Sequence, residues 1–295
     1  MNTKSFRIAV CLSGQARSWK TASKSCLSYF DLPGYDVKFF GHTWDLNTWR
    51  KSSRLPYEEE YLDIESLTSE MNSTYGFSRL HVDKFEDLSP HLLEAKYDHV
   101  KEGKDLSNMS PMEHSGYMTK PVGWTPMMYS AMVANHLKQA YEIDNDIEFD
   151  IVVKSRFDLC HTPGTSFKDQ LEKIPNYGAS KILLCNGRTF DYEWGLAAID
   201  DTFYYGSSAV MDILDSFHNS YVNGSFWKMI NCNSDDPAFK VTGPNILLYK
   251  WCEIKNIMLY HVNPFGFPVV RRNVDDGNWP ENYEKIRDAW LNFHV

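Results

Sequence analysis

Short apolar runs alternate with longer amphipathic stretches along this chain, and segments containing Pro, Gly and polar residues separate them. The runs at 6–13 and 36–42 predict strands, and the run at 149–153 has the length and composition of a buried strand. Apolar residues between 124 and 141 fall mostly at helical spacing and predict the clearest helix of the chain. Strands that alternate with helices predict an α/β fold, with a central, mostly parallel sheet flanked by helices.

The remaining pattern is weaker but continues this alternation. The first strand is followed by a helix that ends before Pro33 and Gly34, and the strand at 36–42 then completes a strand–helix–strand unit. Between the second strand and the clearest helix, we expect a helix that begins at Pro56, a short strand at 79–83 and a loop at 91–120. Later elements are predicted at 167–174 (helix), 181–185 and 203–206 (strands), 207–219 and 245–255 (helices), 257–262 and 267–271 (strands) and 281–293 (helix).

Composition excludes several classes of protein. The chain has 295 residues, of which 43% are hydrophobic, and this is enough apolar material for a substantial core. Its net charge of −9 argues against a nucleic-acid-binding protein, which would need a basic face.

The six cysteines lack zinc-site spacing, so we interpret them as buried free thiols. No run reaches transmembrane length and no signal segment opens the sequence, which predicts a cytoplasmic protein.

Charged residues end the apolar run that starts at residue 149. Lys154, Arg156 and Asp158 follow a strand candidate, and ligands of open α/β sheets bind at the carboxyl ends of the strands. Asp158 is therefore a candidate ligand for a divalent metal ion or a ribose hydroxyl, with Lys154 and Arg156 contacting phosphates. The alternative is a structural ion pair at an ordinary strand end.

Two further segments follow the first and second strands. Ser13, Gly14, Gln15 and Arg17 lie in the first strand-to-helix turn, where backbone N–H groups can meet an anion. The three-glycine dinucleotide fingerprint and the Gly-Lys-Ser/Thr phosphate loop are both missing, so an ordinary turn is the alternative.

His42 and Trp44 end the second strand and should lie on the same sheet edge if the strands are parallel. His42 could contact phosphate or metal, although a lone His at a strand end is more often a hydrogen-bonded structural residue. Trp44 could equally belong to the core.

A second cluster combines carboxylates with aromatic rings. Asp200 and Asp201 are candidates for a base that removes the proton of a sugar hydroxyl. Asp191 and Trp194 could bind a sugar, with Trp194 as a stacking platform. A solvated acidic loop explains the same residues.

Five segments in this order resemble a group of viral and bacterial glycosyltransferases that are similar to GT-A enzymes of surface-polysaccharide assembly. They are RIAVCLSGQAR (7–17), VKFFGHTWD (37–45), MYSAMVAN (128–135), VVKSRFDL (152–159) and DTFYYG (201–206). The resemblance implies a nucleotide-sugar site lined by the Ser-Gly-Gln-x-Arg opening, in which Arg-x-Asp replaces the usual Asp-x-Asp. It implies that the donor is bound by Ser13, Gly14, Arg17, Arg156 and Asp158.

This resemblance predicts a single glycosyltransferase domain, with the nucleotide-sugar donor bound by 1–160 and the glycan acceptor by 161–295. Mn²⁺ or Mg²⁺ would bind at Asp158, and one carboxylate instead of two predicts a weak requirement for the metal. Together with the missing signal segment, the resemblance predicts a protein in the cytoplasm of a host or bacterial cell. The alternative is a non-catalytic carbohydrate- or nucleotide-binding protein with the same fold.

Overall fold

The computed structural model describes residues 6–49, 58–87, 111–162, 164–171, 182–186, 190–191, 196–197, 199, 202–222 and 244–263. The helices in these ranges are α1 (Trp19–Tyr29), α2 (Ile64–Tyr75), α3 (Pro111–Asn145), α4 (Lys168–Leu171), α5 (Ser208–Val222) and α6 (Pro244–Ile254). The strands are β1 (Arg7–Ser13), β2 (Asp36–Trp44), β3 (Leu46–Trp49), β4 (Glu58–Tyr61), β5 (Arg79–Asp83), β6 (Ile151–Arg156), β7 (Ile182–Asn186), β8 (Phe190–Asp191), β9 (Leu196–Ala197), β10 (Tyr204–Gly206) and β11 (Met258–Asn263).

A mixed sheet of seven strands, in the order β11-β7-β10-β6-β1-β2-β5, forms the centre of the described part of the chain. The pairs β2–β5, β1–β2, β1–β6 and β7–β11 are parallel, whereas β10 is antiparallel to both β6 and β7. Helices lie on both faces. The predicted α/β fold with a central, mostly parallel sheet is therefore confirmed.

Strand β1 is buried on both faces because a layer of helices covers each of them. Ile8, Val10 and Leu12 pack on the side of α1 and α2, and Ala9 and Cys11 pack on the side of α3, α5 and α6. A strand in this position needs apolar side chains at successive positions, which explains the continuous run in the sequence. Each face contributes its own hydrophobic core.

Helix α2 is bounded by a capping residue at each end. The side chain of Asp63 accepts a hydrogen bond from the Ser66 amide at 2.8 Å, and Gly76 ends the helix in the left-handed region at φ 62°. The expected helix at Pro56 is wrong, because 58–61 forms strand β4, which pairs with β3 in a separate hairpin. The helix therefore begins at Ile64, directly after the capping residue Asp63.

Helix α3 begins earlier than the pattern predicted. The loop expected up to Lys120 is wrong over its last ten positions, because α3 starts at Pro111. Proline is well suited to the first turn of a helix, where its missing N–H needs no partner. The predicted strand 267–271 and helix 281–293 lie outside the described residues.

Cys11, Cys26 and Cys160 are buried thiols, as the cysteine spacing predicted. Burial raises the pKa of Cys11 to about 12, so the thiol form persists at neutral pH. No helix in the described part of the chain combines the length and apolar character needed to cross a bilayer.

Candidate functional site

The strand order of the sheet changes direction beside β1. The chain runs from β1 to β2 on one side, and β6 later adds to the other side of β1. In open α/β sheets, ligands bind outside the carboxyl ends of the strands at such a switch point. The register pairs Ser13 with both His42 and Arg156, so the carboxyl ends of three strands meet there.

Arg156 and Asp158 form a two-pronged ion pair at this edge. The Arg156 Nε and Nη2 atoms donate to the Asp158 Oδ1 and Oδ2 atoms, and both distances are 2.8 Å. Arg17 approaches from the β1–α1 turn, with its Nη1 atom 3.9 Å from Asp158 Oδ2. Asp158 is buried, whereas the side chains of Arg17 and Arg156 are 18% and 20% exposed. The edge thus presents two guanidinium groups oriented by one buried carboxylate.

The turn between β1 and α1 contains Arg17 and begins after Ser13, which pairs with Arg156. Gln15 Oε1 accepts a hydrogen bond from Arg17 Nε at 2.6 Å. Gly14 has a φ of 108°, a conformation that favours glycine, and no described residue comes within 4 Å of the place where a side chain would begin. Ser13 is buried and its hydroxyl points to the Ser155 carbonyl oxygen at 3.4 Å. The sequence prediction that these segments converge is therefore met by the geometry.

His42 and Trp44 occupy the same edge but lie beneath its surface. The His42 ring has no exposed area, and both of its nitrogens have partners: Ser130 Oγ lies 2.8 Å from Nδ1, and Asp83 Oδ2 lies 3.0 Å from Nε2. Trp44 is buried and packs against His42 and Phe85. These contacts correspond to the structural alternative for both residues, and their direct contact with a ligand stays a prediction.

Ser130 and Asp83 were missed by sequence reasoning. Ser130 lies on α3 and accepts a hydrogen bond from the Gly14 amide at 2.7 Å. Asp83 ends β5 and also contacts His81 Nε2 at 2.7 Å and the Tyr129 hydroxyl at 3.1 Å. A polar residue at the end of a predicted strand was an available signal for Asp83. Ser130 stood out only as a small polar residue in an apolar helical pattern.

The charges in this network are set by burial and hydrogen bonds. The bond from His42, with smaller contributions from the histidine charges, lowers the pKa of Asp83 to about 2. Burial lowers the pKa of His42 below its ordinary value of 6.5, despite the opposing effect of Asp83. Burial, together with Asp83, raises the pKa of Tyr129 to about 12. At neutral pH the network therefore holds an anionic Asp83, a neutral His42 and a neutral Tyr129.

The Ser130–His42–Asp83 chain has the hydrogen-bond connectivity of a hydrolase triad. Ser130, however, is completely buried, and its oxygen already accepts the Gly14 N–H. A nucleophile needs an oxygen that a substrate can reach. These three residues are therefore suited to hold the β1–α1 turn.

Lys154 lies one pleat below Arg156 on the same face of the sheet. It is buried, with its Nζ 5.4 Å from the centre of the Tyr204 ring. A cavity of about 60 Å³ between the sheet, α3, α5 and α6 is lined by Lys154, Asp215 and mainly apolar side chains. Lys154 therefore faces the interior below the edge, and its predicted contact with a phosphate stays a prediction.

The described residues do not fit a divalent metal ion in the observed arrangement. Each Asp158 oxygen accepts a hydrogen bond from Arg156, so the positive guanidinium lies where a cation would bind both carboxylate oxygens. Within the described ranges, no three His, Cys, Asp or Glu side chains form a potential metal-binding group. The predicted Mn²⁺ or Mg²⁺ at Asp158 would require Arg156 to move.

Of the four candidate residues in the second half of the chain, the structure describes only the backbone of Asp191. Asp191 belongs to β8, whose backbone pairs with β9 through Asp191 and Leu196. The predicted base candidates Asp200 and Asp201 and the stacking candidate Trp194 lie outside the described residues. Their roles stay predictions.

Similarity to solved structures was found at low sequence identity. A mouse xyloside xylosyltransferase 1, in its apo form, is 9% identical, with 87% of this chain and 84% of that chain covered and a TM-score of 0.42. A glycosyltransferase involved in glycosylation of the major capsid of PBCV-1 is 11% identical, with 96% and 91% covered and a TM-score of 0.32. No protein-family model matches the chain, and no curated protein matches its sequence. With both TM-scores below 0.5, the functional proposal depends on the residues at the sheet edge and on the sequence resemblance.

Proposed function

We propose that this chain is a glycosyltransferase that binds a nucleotide-sugar donor at the switch point between β1 and β6. The observation that carries the proposal is the convergence of the Gly14 turn, Arg17 and Arg156 on the buried carboxylate of Asp158. Two guanidinium groups are suited to a diphosphate, because their planar N–H donors match phosphate oxygens. Among the described residues, nothing lies within 4 Å of the Gly14 Cβ position, which allows a ligand to approach the backbone.

In the proposed reaction, an acceptor hydroxyl oxygen bonds to the anomeric carbon of the donor sugar while the bond from that carbon to the diphosphate breaks. The diphosphate leaves with the bonding electrons, and Arg17 and Arg156 stabilise its negative charge. If the reaction inverts the anomeric centre, Asp200 or Asp201 takes the hydroxyl proton. If it retains the configuration, the departing diphosphate takes the hydroxyl proton and no separate base is required.

Calorimetric titration with uridine, guanosine and cytidine diphosphates, each with and without Mn²⁺, tests the proposal. We expect at least one nucleotide to bind, and Arg156→Met to weaken that binding at least tenfold. Arg79→Met is the matched control, because Arg79 is an arginine that pairs with Asp144 at the surface, outside the switch point. A folded wild-type protein that binds none of the three nucleotides, or equal losses in both variants, would overturn the proposal.

Turnover is tested separately by incubating the protein with nucleotide-sugars and measuring release of the nucleoside diphosphate. If one of the predicted bases acts, we expect Asp200→Asn or Asp201→Asn to reduce release about 100-fold or more, while donor binding is retained. Unchanged release in both variants would remove these residues from the mechanism.

The second candidate function is non-catalytic binding of a nucleotide or carbohydrate. It is favoured by the Arg156–Asp158 pair, because each Asp158 oxygen already accepts a hydrogen bond from Arg156 and no group of three His, Cys, Asp or Glu side chains among the described residues could hold a catalytic metal. Nucleotide binding without any release of nucleoside diphosphate from the donors would select this candidate.

A further inference from the structure

The β1–α1 turn is connected to the neighbouring strands through a hydrogen-bonded chain of buried side chains. The Gly14 amide donates to Ser130 Oγ, which lies beside His42 Nδ1, and His42 Nε2 lies beside Asp83. Ser130 and His42 are completely buried. The chain therefore joins β1, β2, β5 and α3 under the surface where we place the donor.

The protons of this chain can be assigned from its acceptors. Asp83 is ionised at neutral pH and only accepts hydrogen bonds, so the proton of the neutral His42 ring resides on Nε2. Nδ1 is then an acceptor, and the single Ser130 hydroxyl proton has two acceptors within reach, His42 Nδ1 at 2.8 Å and the His42 backbone carbonyl oxygen at 2.9 Å. The Ser130 lone pairs face the Gly14 N–H, which binds at 2.7 Å. Both acceptors of the Ser130 proton belong to His42, so His42 directs the hydroxyl proton away from Gly14 and leaves a Ser130 lone pair for the Gly14 N–H.

The residues that face His42 support this assignment. From β5 they are Asp83 and His81, whose ring lies 5.9 Å from that of His42. From α3 they are Ser130 and Tyr129, whose hydroxyl donates to Asp83 and whose ring packs edge-on against His42 at 5.5 Å. Asp83 is the carboxylate among these groups, and it stabilises the Nε2 proton.

We propose that Ser130 and His42 are positioning residues that hold the Gly14 amide and thereby keep the β1–α1 turn in its donor-binding conformation. This inference rests on the proposed function. Both residues are completely buried and act through Gly14, whose φ of 108° sets the course of the turn that brings Arg17 within 3.9 Å of Asp158. Losing the Ser130 hydroxyl leaves the Gly14 N–H without this acceptor, and the turn then samples other conformations.

The experiment uses the full chain and two measurements. Hydrogen exchange of the Gly14 amide reports whether the turn is held, independently of any ligand. Calorimetric titration with the nucleoside diphosphate that binds wild type best reports the donor site. We expect Ser130→Ala to increase Gly14 exchange at least tenfold and to weaken nucleotide binding at least fivefold.

Two other variants distinguish positioning from a loss of stability. His42→Asn keeps an acceptor close to the Nδ1 position, so it should retain more of the Gly14 protection and nucleotide affinity than His42→Leu. Ser155→Ala is the control, because Ser155 is also a completely buried serine and its Oγ has no hydrogen-bond partner among the described residues. It should leave both measurements unchanged.

The outcomes separate this inference from the proposed function. Gly14 exchange or nucleotide binding that is unchanged in Ser130→Ala overturns the positioning role, even if wild type binds nucleotide. If wild type binds no nucleoside diphosphate, the donor-site assignment fails and the positioning role for a donor fails with it. Faster Gly14 exchange in Ser130→Ala would in that case still show that Ser130 holds the turn.

Discussion

At the sheet edge, Arg156 donates two hydrogen bonds to Asp158, and the Arg156 side chain is 20% exposed. Between α3 and α5, Lys138 contacts Glu142 at 2.9 Å and Asp212 at 2.8 Å and is completely buried. Both regions combine cationic side chains with carboxylates. They differ in what each cation can still reach.

The buried cation satisfies all of its donors within the protein. Lys138 Nζ also donates to Ser208 Oγ at 2.6 Å, so its three N–H groups have three acceptors. A buried charge is tolerated only with such complete pairing. At the edge, the carboxylate is buried and the arginines are partly exposed, so a ligand can approach the cations. The same chemistry therefore stabilises the fold in one region and is suited to binding in the other.

The largest expected effect is in the interior cluster. Lys138→Met should reduce the free energy of unfolding by on the order of 3 kcal/mol, because Glu142 and Asp212 lose their buried counter-charge. Urea denaturation measures this. In the control Lys250→Met, which breaks the more exposed pair with Glu253, the change should stay below about 1 kcal/mol. Equal losses in both variants would contradict a structural role that depends on burial.

The matching change at the edge is Asp158→Asn. It should weaken nucleotide binding at least about tenfold, since the amide cannot orient both Arg156 donors, and should cost about 1.5 to 3 kcal/mol of stability. Calorimetry and urea denaturation measure the two effects. The control Asp144→Asn breaks an Arg–Asp pair at the surface and should change neither by much. Unweakened binding by Asp158→Asn would break the contrast between the two regions.

The pH dependence of stability tests whether the charge of Asp83 stabilises the edge. Its pKa in the folded protein is about 2, below the ordinary 3.8, so the stabilisation is present above pH 4 and is lost as the pH falls towards 2. Asp83→Asn should therefore be less stable than wild type by about 1 to 2 kcal/mol at pH 7. The difference in urea midpoint should shrink between pH 4 and 2. A difference that stays constant over this range would show that the charge of Asp83 does not stabilise the edge.

The smallest expected effect compares two glycines. Gly14 and Gly164 both have positive φ, 108° and 76°, with open space at the Cβ position. Substitution of either by Ala should cost about 1 kcal/mol of stability, because the conformation is unfavourable for an L-residue. Gly14→Ala should also weaken nucleotide binding severalfold in calorimetry, and Gly164→Ala should not. Similar affinities in both variants would exclude a special role for the turn.

Local pattern was sufficient to predict most of the elements that build the edge. β1, β2, β5 and β6 lie within a few residues of the predicted strands. The signal is strongest for β1 and β6, because a doubly covered parallel strand requires a continuous apolar run. The convergence of Gly14, Arg17 and Asp158 followed from the same topology. The pattern failed at 58–61, where three successive glutamates form a strand whose pairing with β3 outweighs their low strand propensity.

The sequence by itself determined the alternation of strands and helices and the residue types at the strand ends, because periodicity and charge are local properties of the chain. Only the tertiary structure decided which polar groups face a ligand and which are satisfied internally. His42 and Lys138 are ordinary polar residues in the sequence, yet the packing of α3 against β2 and α5 buries both. Burial depends on neighbours that are distant in the chain, and it determines whether a charge binds a ligand or supports the fold.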